Sequence, residues 1–273
     1  MRRLLLGVFL LTLVSLGAAP TSAAFSGVEA KEWAAKIARL GQRPAGGAHE
    51  RQAGQIVRRR LEALGYAVTV QSFLLPEGTR SRNVVGRTPG TIRAIVVAHI
   101  DGVPGTQAAN DNASGVGLLL MLAQYLADEN GVLLAAVGAE ERRFTGAGYH
   151  LGSRRLTRSL TPVQKAGVRL AISVDMVAFG STLNIRGLES SPNRSARLLL
   201  AAARRLGVAA SYLQDTGQSD HDELTRGGVP AAWVEWRWDS CWHQPCDRIH
   251  RLKPFRLRAA GRVVRNAALS VLN

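Results

Sequence analysis

Apolar positions along the chain change repeatedly between the spacing of helices and the spacing of buried strands. Residues 28–40 and 48–64 have helical spacing with charges in between, and Gly65 fits the position just after a helix end. Residues 67–73 are rich in β-formers and alternate between polar and apolar, which indicates a strand. The chain therefore begins with two helices that lead into a sheet.

Helices and strands then alternate to the end of the chain. The predicted strands are residues 83–86, 92–98, 132–139, 170–176, 183–186, 209–213 and 230–236. The predicted helices are residues 114–127, 147–156, 195–206 and 255–272. Residues 95–98 are apolar on both faces, which is typical of a parallel sheet with helices on both sides. The pattern predicts an α/β fold: a three-layer α/β/α sandwich with a mixed, mostly parallel central sheet.

The N-terminal residues follow a different pattern from the rest of the chain. Arg2 and Arg3 precede an almost unbroken apolar run over residues 4–16, and small residues continue to Ala24. This order is typical of a secretory signal peptide, and the run is shorter than the ~20 residues of a membrane span. We expect cleavage after Ala24, although an uncleaved anchor is the alternative. Residues 25–273 are then expected to form one domain, secreted or periplasmic and without a transmembrane anchor.

The charge of the chain is strongly positive and is carried almost entirely by arginine. The formal net charge is +15, of which Arg2 and Arg3 belong to the predicted signal peptide. The arginines are scattered and no nucleic-acid motif accompanies them, so we expect no nucleic-acid partner. A solvated arginine-rich surface is the simpler interpretation, with a loose attraction to an anionic cell envelope as a secondary effect.

Metal-compatible side chains lie at the ends of the predicted strands or just beyond them. They are His99, Asp101, Glu140, Glu141, Asp175 and His243, with Asp111 in a loop that is rich in Gly and Asn. Ligands of open α/β sheets bind in the crevice beyond the carboxyl ends of the strands, so these side chains are expected to share one crevice. Two histidines with three carboxylates are a ligand set that suits a pair of zinc ions.

The ordered motifs around these residues resemble the M28 family of zinc aminopeptidases. The motifs are AHID at 98–101, ANDNASGV at 109–116, GAEE at 138–141, VDMV at 174–177, SDH at 219–221 and WHQPCD at 242–247. The resemblance implies two Zn²⁺ ions per chain and the zinc-exopeptidase version of the fold. The implied ligands are His99 and Asp175 for one ion, Glu141 and His243 for the other, and Asp111 as the bridge between them.

The resemblance also implies roles for residues that do not bind metal. Glu140 would be the general base for a water activated by the two ions, and Asp101 would hold the His99 ring from behind. The peptide bond between Asp111 and Asn112 would be cis. The expected activity is secreted exopeptidase activity on peptide substrates, most simply as an aminopeptidase.

The sequence is also compatible with three other functions. Relatives with this fold cyclise N-terminal glutamine with a single zinc, and others act as carboxypeptidases or dipeptidases. A non-enzymatic exported binding protein is the third alternative, although the chain keeps every implied ligand and the base. No residue indicates which terminus of a peptide is recognised.

The segment around His243 contains features that go beyond the ligand set. Cys241 and Cys246 are the only cysteines, and in an oxidising compartment so close a pair predicts a disulfide around His243. Trp238 and Trp242 flank this loop, and we hypothesise that they line a pocket for the first side chain of the substrate. Packing in the core is the alternative for both.

The remaining candidates are interpreted more conservatively. His221 matches a family segment near the pocket, so we expect it close to the substrate but not on the metal. Arg142 and Arg143 would either bind an acidic substrate side chain or face solvent. The other histidines, His49, His150 and His250, are interpreted as ordinary surface or interface residues.

Overall fold

The computed structural model describes residues 24–141 and 149–273. The predicted signal peptide, apart from Ala24, lies outside the described residues. The first two residues of the predicted helix 147–156 lie outside them as well. The statements below concern the described ranges.

Eight α-helices and eight strands are present in these ranges. The helices are α1 (Gly27–Ala38), α2 (Ala48–Ala63), α3 (Ser114–Tyr125), α4 (Leu151–Ser159), α5 (Pro162–Gly167), α6 (Arg194–Arg205), α7 (His221–Arg226) and α8 (Pro254–Leu272). The strands are β1 (Ala67–Leu74), β2 (Arg80–Arg87), β3 (Ala94–His99), β4 (Val132–Val137), β5 (Leu170–Val174), β6 (Thr182–Gly187), β7 (Ser211–Gln214) and β8 (Ala232–Arg237). A π-helical turn (Ala109–Ala113) precedes α3, and a 3₁₀ turn (Ile249–Arg251) precedes α8. Of the helices described, none combines the length and the apolar character that crossing a bilayer requires.

All eight strands form one sheet in the order β1-β2-β4-β3-β5-β8-β6-β7. The four central strands, β4, β3, β5 and β8, run parallel to one another. The hairpin of β1 and β2 joins β4 antiparallel, and β6 joins β8 antiparallel on the other side. The predicted mixed sheet is therefore confirmed, and its parallel centre brings four strand ends to the same edge.

Strands that are apolar on both faces allow helices to cover both sides of this sheet. In β3, Val96 and Ala98 face the larger core, which includes residues of α1, α2, α3, α6 and α8. Ile95 and Val97 face a second core with Leu156 of α4 and Leu224 of α7. Fully burying an aliphatic side chain contributes ~1.5–3 kcal/mol, so both layers stabilise the sheet. The predicted three-layer sandwich is confirmed.

The structure differs from the predicted elements mainly where strands reach the site. The strands predicted over 132–139 and 170–176 end earlier, at Val137 and Val174. Ala139 and Met176, two residues past these ends, are apolar but adopt left-handed backbone conformations with φ of 55° and 56°. Such a residue cannot continue an extended strand. The short helices α5 and α7 were not predicted, because six residues are too few to show a helical period.

The crossing of α1 and α3 depends on a residue without a side chain. Helix α3 is buried over most of its length. A Cβ atom on Gly117 would lie 2.4 Å from the carbonyl oxygen of Ala30 and 2.7 Å from the amide nitrogen of Ala34. These contacts are with backbone atoms that cannot rotate away, so the helices approach this closely only because residue 117 is glycine.

We expect Gly117→Ala to lower the free energy of unfolding by about 2 kcal/mol, because the added methyl group must push the two helices apart. Gly54→Ala is the matched control, since Gly54 is also a helical glycine but an added Cβ would lie 3.5 Å from the nearest heavy atom. Alanine is the better helix former, so this change should stabilise by about 0.5–1 kcal/mol. Urea titration of both variants measures the difference, and equal effects would contradict the packing argument.

Candidate metal centre

The parallel centre of the sheet brings the candidate ligands to one edge. His99 is the last residue of β3, Asp175 follows β5 directly, and the two glutamates come three and four residues after β4. Asp111 lies in the π-helical turn before α3, and His243 lies in the loop after β8. All five predicted ligands and Glu140 therefore converge, as the strand-end pattern predicts.

The side chains form two groups that share one carboxylate. In the first group, His99 Nε2 lies 3.2 Å from Asp111 Oδ1 and 3.4 Å from Asp175 Oδ1. In the second, His243 Nε2 lies 3.2 Å from Asp111 Oδ2 and 3.2 Å from Glu141 Oε2. Each oxygen of Asp111 thus faces a different group, which is the arrangement that a carboxylate shared by two cations requires.

Several buried atoms in these groups lack a hydrogen-bond partner in the described parts of the chain. They include His99 Nε2, Glu141 Oε1 and Asp175 Oδ1. Burying such atoms without a partner is costly, and a bound cation would satisfy the lone pairs. Imidazole nitrogens and carboxylate oxygens are donors that zinc accepts, so the residues present fit a zinc site.

The protonation equilibria of these groups are strongly perturbed. Burial and, next to it, the negative charge of Asp111 raise the pKa of Glu141 to about 8. Burial also raises the pKa of Glu140 well above its usual range. Burial lowers the pKa of His243, but hydrogen bonds to Asp111 and Glu141 outweigh it, and the pKa reaches about 10. The cluster concentrates negative charge in a buried place and favours positively charged partners.

Strained backbone is concentrated around the cluster. Among the described residues, the non-glycine residues with left-handed φ are Ala108, Ala139, His150, Met176, Trp238 and His243. Ala108 directly precedes the turn that carries Asp111, and each of the others lies in the cluster, beside one of its members or on the wall of the adjoining cavity. Left-handed conformations cost non-glycine residues of order 1–3 kcal/mol each and persist where the surroundings enforce them. The strain therefore marks this edge of the sheet as a functional site.

Asp101 holds the backbone that presents the two glutamates. Its carboxylate oxygens accept hydrogen bonds from the amide nitrogens of Glu140 and Glu141, both at 3.1 Å. The predicted contact with His99 is looser, since Asp101 Oδ1 lies 3.7 Å from His99 Nδ1, beyond hydrogen-bond distance. The hydrogen bonds of Asp101 thus hold the segment that follows β4 rather than the histidine ring.

Asp247 holds the turn that carries Asp111. It is buried, and its two oxygens accept hydrogen bonds from the amide nitrogens of Asn110 at 2.7 Å and Asp111 at 3.1 Å. The peptide bond between Asp111 and Asn112 is cis, as the family resemblance implies. Asp247 closes the last sequence motif, but its contact with residues 136 and 137 positions away could not be inferred from the sequence.

A buried arginine supports the same turn from the other side, and the sequence analysis did not identify it. Arg43 is fully buried, and its guanidinium donates hydrogen bonds to the carbonyl oxygens of Ile100, Gln107 and Ala108. Burial lowers the pKa of Arg43 to about 10 against the opposing effect of Asp101. No local pattern distinguishes this arginine from the many exposed ones, so only the structure reveals its role.

The loop that carries His243 is closed by the predicted disulfide between Cys241 and Cys246. Asp239 links this loop to the turn of Asp111, because it accepts hydrogen bonds from the amide nitrogen of Cys241 at 2.9 Å and from Asn110 Nδ2 at 2.9 Å. The disulfide and Asp239 together restrict where the imidazole of His243 can lie.

A cavity of about 1000 Å³ opens beside the cluster. Trp238 and Trp242 line it and are 69% and 53% exposed, so neither is packed in the core. Trp233 also lines it, although it is almost fully buried and stacks on the guanidinium of Arg186, 4.2 Å from the ring centroid. The aromatic wall offers apolar surface to a side chain that enters the cavity.

Two histidines are placed differently from the sequence interpretation. His221 is fully buried, with Nε2 3.2 Å from Asp215 Oδ2, and does not line the cavity. It packs behind Trp233 because it begins helix α7 on the core side. His150, interpreted as a surface residue, is 1% exposed, and its Nε2 lies 3.2 Å from Glu140 Oε1. The sequence predicts the helix that begins beside it, but not that the start of this helix packs against the segment of Glu140.

The other two histidines, His49 and His250, are exposed, as interpreted. Arg142 and Arg143 lie outside the described residues. The choice between an acidic substrate side chain and solvent as their partner therefore stays a prediction.

Proteins of similar sequence and of similar fold include aminopeptidases. Aminopeptidase YwaD of Bacillus subtilis is 28% identical over 205 residues, which are 67% of this chain and 43% of that protein. The chain thus spans less than half the length of this relative. The zinc aminopeptidase BSAP from Bacillus subtilis superposes with a TM-score of 0.84 at 18% identity, over 91% of this chain and 96% of that chain.

A second activity occurs among the structural neighbours. The glutaminyl cyclase of Bacteroides thetaiotaomicron superposes with a TM-score of 0.77 at 23% identity, over 92% of this chain and 98% of that chain. At these identities the two superpositions establish the fold alone. The sequence match is more specific: residues 83–268, which include every member of the cluster and Asp247, match Peptidase family M28, and the chain belongs to this family.

Proposed function

We propose that this chain is an aminopeptidase that holds two zinc ions and acts outside the cytoplasm. The observation that carries the proposal is the shared carboxylate of Asp111, whose two oxygens face separate groups of donors. Membership in Peptidase family M28 and the similarity to an aminopeptidase support the activity. The five donors would divide as the groups do, His99 and Asp175 with one ion, Glu141 and His243 with the other, and Asp111 with both.

Zinc, when bound, supplies Lewis-acid chemistry that lowers the pKa of a water and polarises a carbonyl group. The chain itself must supply the base. Glu140 is buried, and its Oε2 lies 4.0 Å from His99 Nε2, at the edge of the first group. From this position its carboxylate can accept a proton from the attacking water and return it to the leaving amine.

Adjacent glutamates can take different roles because their side chains have different neighbours. Glu141 Oε2 lies 3.2 Å from His243 Nε2, within the second group of donors. Glu140 Oε1 instead contacts His150, a residue outside both groups. Glu141 is therefore available to bind a metal and Glu140 to move a proton.

Glutaminyl cyclisation is the second candidate, because glutaminyl cyclases occur among the structural neighbours. Cyclisation also acts at the N-terminus of a peptide but releases ammonia instead of an amino acid. Two occupied metal sites would favour hydrolysis, which uses both groups of donors. Metal content and product analysis distinguish the two activities.

The proposed location outside the cytoplasm rests on two observations. The N-terminal residues have the order of a secretory signal peptide. The only two cysteines form a disulfide, which persists in oxidising compartments and is rare in the cytosol.

The zinc-loaded chain should remove the N-terminal residue from an unblocked peptide and leave its N-acetylated counterpart intact. An aminopeptidase recognises the free amine, which acetylation removes. Mass spectrometry of both peptides, with a chelator control, measures this. Cleavage of the acetylated peptide would contradict aminopeptidase activity, and loss of ammonia from an N-terminal glutamine would indicate the cyclase.

Glu140→Gln should retain about two zinc ions per chain but lower kcat by about 10²–10⁴-fold, since an amide cannot accept the proton. Elemental analysis gives the metal content and steady-state kinetics gives kcat. Glu141→Gln is the matched comparison and should lose metal as well as activity. A wild-type kcat in Glu140→Gln would refute its role as the base.

Asp247→Ala should weaken zinc binding by about 10–100-fold, because two amide groups next to Asp111 lose their acceptor and the turn shifts. Competition with a chromophoric chelator measures the affinity. Asp128→Ala, at an exposed aspartate between α3 and β4, is the control and should leave the affinity unchanged. Equal affinities in both variants would show that Asp247 does not position the ligand.

Trp242→Ala should change the ratio of kcat/KM between leucyl and alanyl substrates by about tenfold, because the indole supplies apolar surface to the substrate side chain. Aminoacyl p-nitroanilides measure the ratio. Phe255→Ala is the matched control, since Phe255 is 55% exposed but does not line the cavity. A ratio that stays constant in Trp242→Ala would exclude Trp242 from the specificity pocket.

A further inference from the structure

We propose that His150 is a positioning residue, which holds the Glu140 carboxylate in place by donating a hydrogen bond from its Nε2–H. The inference rests on the proposed function, in which Glu140 is the general base. It assigns a role to a histidine that belongs to neither group of metal donors.

The contact between the two side chains is buried and leaves one carboxylate oxygen free. His150 Nε2 lies 3.2 Å from Glu140 Oε1, and the two residues are 1% and 6% exposed. On the opposite side, Glu140 Oε2 lies 4.0 Å from His99 Nε2. His150 therefore engages one oxygen, and the other faces the donors of the first group.

The direction of the hydrogen bond follows from the role of Glu140. A general base must be ionised before it accepts a proton, and an ionised carboxylate can only accept hydrogen bonds. His150 must then be the donor, with its proton on Nε2. Its other nitrogen, Nδ1, faces Asp222 Oδ2 at 3.8 Å, which is beyond hydrogen-bond distance and does not compete for the ring.

The backbone fixes the two residues beside each other. The amide nitrogen of His150 donates to the carbonyl oxygen of Glu140 at 3.1 Å, and that of Leu151 donates to the carbonyl oxygen of Ala139 at 2.9 Å. His150 itself has a left-handed φ of 57° immediately before helix α4. The start of α4 is thus attached directly to the segment that carries Glu140.

A buried asparagine secures this attachment from strand β2. Asn83 Nδ2 donates to the carbonyl oxygen of Gly152 at 2.8 Å, and Asn83 Oδ1 accepts from the amide nitrogen of Gly138 at 3.2 Å. One side chain thus bridges the two segments on which Glu140 and His150 lie. His150 is therefore in position to donate before any substrate binds. Groups that are already positioned need not be ordered during the reaction, which lowers the activation barrier.

Loss of the donor should affect turnover more than binding. Without it, the Glu140 carboxylate can rotate about its side-chain torsions, and a displacement of about 1 Å at a reacting group can cost about 10²-fold in rate. His150 touches neither group of donors in the contacts described, so metal content should not change.

Two substitutions of similar size separate positioning from structural support. His150→Leu fills the space without a donor, and His150→Gln retains an N–H group that can reach Glu140. We expect His150→Leu to lower kcat by about 10–100-fold with KM within about twofold, and His150→Gln to recover most of the loss. Metal content and melting temperature should match the wild type in His150→Gln.

Two results of this substitution experiment would overturn the inference. A wild-type kcat in His150→Leu would show that the contact has no effect on the base. Equal losses in both variants, together with equal losses of metal or of melting temperature, would indicate structural support only.

A measurement that does not depend on activity tests the hydrogen bond itself. In the zinc-loaded chain labelled with ¹⁵N-histidine, NMR should show a proton on Nε2 of His150, with a resonance that shifts in Glu140→Ala. His150→Gln identifies the signal by its absence. An unprotonated Nε2 would overturn the inference even if the enzyme is active. Absence of peptide cleavage with Nε2 protonated would instead count against the proposed function.

Discussion

Mutual repulsion among buried carboxylates is the constraint on which the arrangement of this site depends. Asp111, Glu140, Glu141 and Asp175 are each at most 6% exposed, and they share one edge of the sheet. Like charges in a poorly solvated place interact strongly, and bare carboxylates there are expensive. The two neighbouring histidines relieve only part of this repulsion. Bound divalent cations would relieve the rest and would satisfy the lone pairs of the cluster that have no partner among the described residues.

Holding such a cluster together requires rigid surroundings, and the fold supplies them through buried polar contacts. Arg43 ties down carbonyl groups on the segment before the turn, and Asp247 ties down amide groups within it. The disulfide restricts the loop of His243, and Asn83 joins the segments of Glu140 and His150. Left-handed residues are tolerated at these points because tertiary contacts over-determine the backbone. The same buried contacts therefore hold both the strained backbone and the mutually repelling carboxylates in place.

Much of the fold and most of the metal cluster could be predicted from the sequence. Strands that are apolar on both faces indicated a sheet covered on both sides, and residues at parallel strand ends were expected to meet. His99 and Asp175 illustrate this, because each lies at the end of a buried strand. The sequence was a poor guide to the burial of individual histidines, because the polarity of a side chain does not show whether it is buried. His150 was interpreted as a surface or interface residue, yet it is buried at the start of α4. His221 was expected near the pocket and is buried behind Trp233, at the start of α7, a helix that the sequence did not predict.

The sequence by itself determined the order of the strands and the longer helices, the two-sided burial of the sheet and the kinds of donor atom at its edge. These properties are local: they follow from the spacing of apolar residues and from the donor atoms of individual side chains. Only the tertiary structure decided which distant groups support the site. Arg43 reaches Ile100 across 57 residues, and Asp247 reaches Asn110 across 137. Such contacts depend on the order of strands in the sheet and on the packing of its helices, because these decide which distant segments come close enough to form hydrogen bonds.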